Sequence, residues 1–111
     1  MKLNNVINLL EANVLSKEYD GNQEILAACG SDLMSDVLAF VKDQALLLTG
    51  LINPQVVRTA EMMDMKAIVF VRGKTPSPEI IELASESGIV ILSTSYPLYI
   101  SCGKLYASGL N

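Results

Sequence analysis

Residues 45–73 read Ala45-Leu46-Leu47-Leu48-Thr49-Gly50-Leu51-Ile52-Asn53-Pro54-Gln55-Val56-Val57-Arg58-Thr59-Ala60-Glu61-Met62-Met63-Asp64-Met65-Lys66-Ala67-Ile68-Val69-Phe70-Val71-Arg72-Gly73. Two apolar runs, Ala45–Thr49 and Ala67–Val71, lack polar alternation, as strands buried on both faces do. Each is followed by glycine, at Gly50 and just after Arg72. Between them, Asn53-Pro54 is a helix start, with Asn as N-cap and Pro at the first helical position. The helix it opens is predicted to run to about Asp64 and to turn Val56, Val57, Ala60 and Met63 inward. Strand, helix, strand with so short a connection is the unit of a parallel sheet.

The same grammar continues downstream. Ser77-Pro78-Glu79 repeats the cap, proline and acidic first turn. Its helix carries Ile80, Leu83 and Ala84 on one face and stops at Gly88. Ile89–Leu92 is the next buried strand. Thr94 or Ser95, then Pro97, opens a last helix with Leu98, Cys102 and Leu105 on one side. Upstream the signals are less regular. Leu3, Val6, Ile7 and Leu10 form one helical stripe, with Asn13 as its expected left-handed stop. Val14-Leu15 begins a short strand, Asp20-Gly21 is a turn, and Ile25–Cys29 is a strand closed by Gly30. Ser35 or Asp36 is expected to cap a brief helix through Val41, and Lys42-Asp43 turns the chain. The expectation is one domain over residues 1–111. It is an α/β fold with a mostly parallel central sheet and helices on both faces, a three-layer α/β/α arrangement. Its first third adds an edge or antiparallel strand.

Composition narrows the chemistry. The 111 residues include 8 Lys+Arg, 12 Asp+Glu, two Phe, four Tyr, no Trp and no His. Without histidine, a Ser-His-Asp triad, a Cys-His dyad and a two-His metal site are excluded within this chain. A net charge of −4 and a pI near 4.6 oppose a nucleic-acid footprint. Cys29 and Cys102 match no metal spacing and read as small buried residues in a reducing cytoplasm. The first fifteen residues lack the continuous apolar stretch of a signal peptide. The longest apolar runs fall far short of the ~20 residues that span a bilayer. No cofactor motif is present. Gly73-Lys74-Thr75 looks like the end of a P-loop, but the required earlier glycine falls at Ile68, and Pro76 and Pro78 prevent a helix from starting at Lys74.

A ligand is expected at the carboxyl ends of the strands, where α/β sheets bind theirs. Those ends supply Gly30, Ser31, Thr49, Gly50, Arg72, Gly73 and Thr94. Arg72 and its neighbour Lys74 are the cations there and form a clamp for phosphate or carboxylate. Ordinary turn and capping chemistry accounts for the same glycines and hydroxyls. Asp32 and Asp36 read as capping or solvated carboxylates rather than a cation site. Of Met62, Met63 and Met65, at least one fills the core, and an exposed remainder marks a contact surface. Cys29 is the least implausible nucleophile, yet it has no basic neighbour to activate it.

The ordered pattern resembles a known family, the DRTGG domain. The residues that carry the likeness are Gly30-Ser31-Asp32-Leu33-Met34-Ser35-Asp36-Val37, Leu48-Thr49-Gly50, Ala67–Pro76 and Gly88–Thr94. It extends from about Leu3 to Leu105. Freestanding relatives look like small proteins encoded beside iron-only hydrogenase genes. Fused ones accompany phosphate acetyltransferases and CBS-pair pyrophosphatases. The fold is similar to the N-terminal domain of HPr kinase/phosphorylase, which is not its catalytic part. Two positions depart from the family pattern. The family usually has Thr-Gly-Gly where this chain has Val71-Arg72-Gly73, and often has aspartate near the place of Ser95. The resemblance implies a non-catalytic regulatory or ligand-sensing module; if the departing positions bind ligand in the family, this chain takes a different one, or none. Together with the strand-end cations, the expected ligand is small and anionic or nucleotide-like. The resemblance also implies a homodimer. The alternative is a homodimerising assembly module associated with a larger enzyme, such as an iron-only hydrogenase system. No enzyme activity, membrane partner or nucleic-acid partner is expected.

Overall fold

The computed structural model describes residues 1–40 and 42–111. Its elements are α1 (Leu3–Leu10), β1 (Asn13–Val14), β2 (Ala27–Gly30), α2 (Met34–Leu38), β3 (Ala45–Thr49), α3 (Pro54–Met62), β4 (Ala67–Phe70), α4 (Pro78–Glu86), β5 (Val90–Ser93) and α5 (Leu98–Ala107). The five strands form one sheet in the order β1-β5-β4-β3-β2. β2 to β5 are parallel, and β1 runs antiparallel against β5 with Val14 opposite Leu92.

Period-two alternation in the buried strands divides the core into two halves. Leu47, Ile68, Phe70 and Ile91 face one way, with Met34, Val37, Val56, Val57, Ala60, Ile80 and Ala84 from α2, α3 and α4. Leu46, Leu48, Val69, Val71, Val90 and Leu92 face the other way, with Leu3, Val6 and Leu10 of α1 and Leu105 of α5. The predicted three layers are therefore present, and the reason is topological. Each parallel connection steps to the neighbouring strand in the same direction across the sheet. Connections of one hand then place α2, α3 and α4 on the same face. Only the flanking helices α1 and α5 remain to cover the second face.

Local signals set most boundaries. Asn53 Oδ1 accepts the Gln55 N–H at 3.0 Å, with Pro54 at the first helical position. Ser77 precedes Pro78 as expected, but its side chain makes no capping bond. Three local expectations are corrected. α1 stops at Glu11, which takes the left-handed conformation at φ 47°, while Asn13 is already in β1. Ser35 and Asp36 lie inside α2, whose N-cap is Leu33. Ser31 holds the turn before it, its Oγ accepting the Leu33 N–H at 3.0 Å. Pro97 is the N-cap of α5 rather than its first residue. The expected end of α2 at Val41 lies outside the described residues. Among the described residues, no helix is long and apolar enough to cross a membrane.

Candidate functional site at the strand ends

β3 ends at Thr49, and the chain then turns through Gly50 toward α3. Asp32, two residues beyond β2, reaches over this turn. Its Oδ1 accepts the Thr49 hydroxyl at 3.1 Å and the Gly50 N–H at 2.6 Å. Thr49 Oγ1 in turn accepts the Leu51 N–H at 3.1 Å. From the turn after β4, the Lys74 ammonium donates to the Gly50 carbonyl at 3.0 Å. The Arg72 guanidinium lies over Gly50 itself: a Cβ there would be 2.8 Å from Arg72 Nη2 and 3.5 Å from Asp32 Oδ1. Glycine at position 50 is what lets both side chains approach the backbone.

Arg72 stands in an uncommon backbone. It and Gly73 take left-handed conformations, φ 59° and 68°. The Arg72 N–H donates to the Tyr96 carbonyl at 2.9 Å, and the Gly73 N–H to the Thr94 carbonyl at 2.8 Å. The left-handed conformation costs a non-glycine residue about 1–2 kcal/mol. The guanidinium is exposed and, like Lys74, makes no ion pair among the described residues.

Thr49, Gly50 and Arg72 are thus brought together, with Gly73 completing the Arg72 turn. The remaining expected residues lie apart from that cluster or face elsewhere. Ser31 is occupied by its turn with Leu33. Thr94 is buried, and its hydroxyl donates to the Leu10 carbonyl at 2.7 Å. Gly30 faces α5, where a Cβ would stand 2.5 Å from Cys102 Sγ. It lines a groove of about 950 Å³ along the β2 edge, with Ala28, Lys42, Tyr99, Cys102 and Tyr106 among the other walls. Strand order never reverses across the parallel strands, so the crevice that a topological switch point would open is absent from them. Sequence reasoning missed Asp32 as part of the cluster. The available signal was its place just after Gly30-Ser31, at a strand's carboxyl end.

The thiols show no activation. Burial raises the Cys29 thiol above its ordinary pKa, and the nearby Cys102 and Asp36 add to the rise. Burial does the same to Cys102. A nucleophilic cysteine needs the opposite shift. Among the described residues, no group of three or more Cys, Asp or Glu is placed to hold a metal ion.

A family model described as the DRTGG domain matches residues 5–103. The chain belongs to the DRTGG domain family. Among solved structures, this DRTGG chain is similar to the CBS and DRTGG domains of the regulatory region of Clostridium perfringens pyrophosphatase, complexed with its activator diadenosine tetraphosphate. The TM-score is 0.73 at 18% identity, over 94% of this chain and 45% of that one. The likeness is one of fold, and this DRTGG chain spans less than half the length of that neighbour. No curated protein matches it.

Proposed function

We propose that this chain is a regulatory, ligand-sensing module that takes a small anionic or nucleotide-like ligand at the carboxyl ends of β3 and β4. The observation that carries the reading is Arg72. It keeps a glycine-type backbone, φ 59°, despite the steric cost. The result is an exposed guanidinium beside the Lys74 ammonium, both reaching Gly50 and neither neutralised by an ion pair among the described residues. Guanidinium and ammonium side by side suit a phosphate, as a fork and a point charge. The neighbouring pyrophosphatase region, solved with a nucleotide activator, agrees with a nucleotide-like ligand.

The test is Arg72→Gly, which removes the guanidinium and suits the left-handed backbone. The variant is expected to gain about 1 kcal/mol in urea unfolding, by relief of the left-handed arginine. It is also expected to weaken binding of pyrophosphate and of nucleotides at least ~10-fold, the value of one charge-assisted hydrogen bond. NMR titration following the Gly50 and Arg72 amides reads the binding. Equal binding by both proteins, or none by the wild type, rejects the site.

A second reading, assembly through a homodimer, is favoured by the β2 edge. There Tyr99 and Tyr106 are 86% and 71% exposed, with Ile100 between them. β2 itself is paired on one side only. Exposed apolar side chains along an open strand edge mark an interaction surface. Met65 is buried and Met62 stands exposed on α3, so the larger apolar strip lies on α5. Sedimentation equilibrium is expected to give a dimer that Tyr99→Asp converts to monomer. A wild-type monomer at every concentration counts against it.

A further inference from the structure

We infer that the Asp32 carboxylate is a built-in competitor for the ligand anion, and that its displacement is the signal the module transmits. This rests on the proposed anion site. The groups that hold Asp32 are those an anion would use. Its Oδ1 takes the Thr49 hydroxyl at 3.1 Å and the Gly50 N–H at 2.6 Å, a short charge-assisted contact. The Arg72 guanidinium and Asp32 Oδ1 crowd the same point above Gly50, at 2.8 and 3.5 Å from where a Cβ would stand. They do so without forming an ion pair. The carboxylate therefore sits in the donor cradle while the guanidinium beside it stays available. A phosphate drawn to Arg72 meets a like charge already seated on the Gly50 N–H. Repulsion and shared donors make the two mutually exclusive.

Displacement has somewhere to act. Asp32 is the tie between the β3 turn and the segment leading into α2. α2 spans only Met34–Leu38 and has no side-chain N-cap bond. Two core contacts, Met34 and Val37, hold it from below, while Leu33 and Leu38 are exposed on it. Freeing Asp32 leaves the Ser31 turn as the only side-chain tie at its start among the described residues. A ligand that seats on Gly50 thereby loosens an apolar surface segment. Charge at the strand end becomes mobility next to the open sheet edge.

Pyrophosphate is the probe, titrated into the intact chain and followed at the Gly50 amide, with hydrogen exchange of residues 33–38 as the second readout. Asp32→Ala is expected to bind pyrophosphate five- to tenfold more tightly than the wild type. Its 33–38 amides should exchange fast already and respond little to the probe. Pyrophosphate should speed their exchange in the wild type. Asp32→Asn keeps the shape and the acceptor without the charge. It is expected to tighten binding at least threefold, which covers the case in which the alanine variant folds poorly. Unchanged or weaker binding by Asp32→Asn, with Arg72→Gly still weakening it, overturns the competitor and leaves the anion site standing. No response in any of the proteins overturns both.

Discussion

Phe70→Ala lowers the unfolding free energy by about 3–5 kcal/mol, the usual cost of emptying a buried aromatic site. A change of that size is a large part of the ~5–15 kcal/mol that holds a domain together. Phe70 is the largest fully buried side chain. Every other aromatic residue, Phe40 and the four tyrosines, is at least partly exposed. Its ring lies on the face covered by α2, α3 and α4, among aliphatic neighbours that have no spare volume to refill the space. Thermal unfolding followed by circular dichroism is expected to shift down by roughly 10–20 °C. Phe70→Leu, which keeps most of the volume, should cost less than half as much. A shift of only a few degrees for the alanine variant shows that the helical layer collapses onto the gap.

Thr94→Val is expected to cost about 1–3 kcal/mol although it removes no volume. The Thr94 hydroxyl donates to the Leu10 carbonyl at 2.7 Å and accepts the Tyr96 N–H at 3.3 Å. Both partners lose their bond in the variant, one of them in a buried position. Leu10 is the last residue of α1, and the Tyr96 hydroxyl donates to the carboxylate of the adjacent Glu11. Loss of Thr94 therefore opens this end first. The expected signature is faster amide exchange in the last turn of α1 and the strand end of β5, together with the drop in urea stability. Thr94→Ser retains the hydroxyl and should lie close to the wild type. If Thr94→Val alters anion binding while stability is unchanged, its hydroxyl serves the ligand rather than α1.

These two residues also show where sequence reading succeeds and where it stops. Phe70 sits in an unbroken apolar run, and burial on both faces follows from that pattern alone. Asn53-Pro54 and Ser77-Pro78 placed α3 and α4 for the same reason: the information is carried by adjacent residues. Thr94 follows a strand, and from sequence alone it reads as facing a ligand. In the fold its hydroxyl meets the Leu10 carbonyl, 84 positions away. Asp32 and Thr49, 17 positions apart, are likewise joined by the sheet and not by the local chain. The two-residue β1 is legible only as an apolar pair, since its strand character comes from β5. The site at Gly50 was half legible. The glycine and the cations mark strand ends, whereas which carboxylate covers them depends on β2 lying beside β3.

The one-sided crossovers have a mechanical corollary. The connecting helices α2, α3 and α4 are each clamped between two strands of the chain. The opposite layer, α1 and α5, is held by its packing and by ties such as Thr94 to Leu10. Both of those helices are the outermost elements in the chain order. A tension applied through either end of the chain, by a fused domain or a docked partner, is therefore borne by one face of the sheet. The amino end is also tied to the segment leading into β2, through Leu3 N–H to the Gln23 carbonyl, Asn4 N–H to the Gly21 carbonyl and Ile25 N–H to the Met1 carbonyl. Load entering there reaches both edges of the sheet, β1 and β2, whereas load through α5 enters at β5.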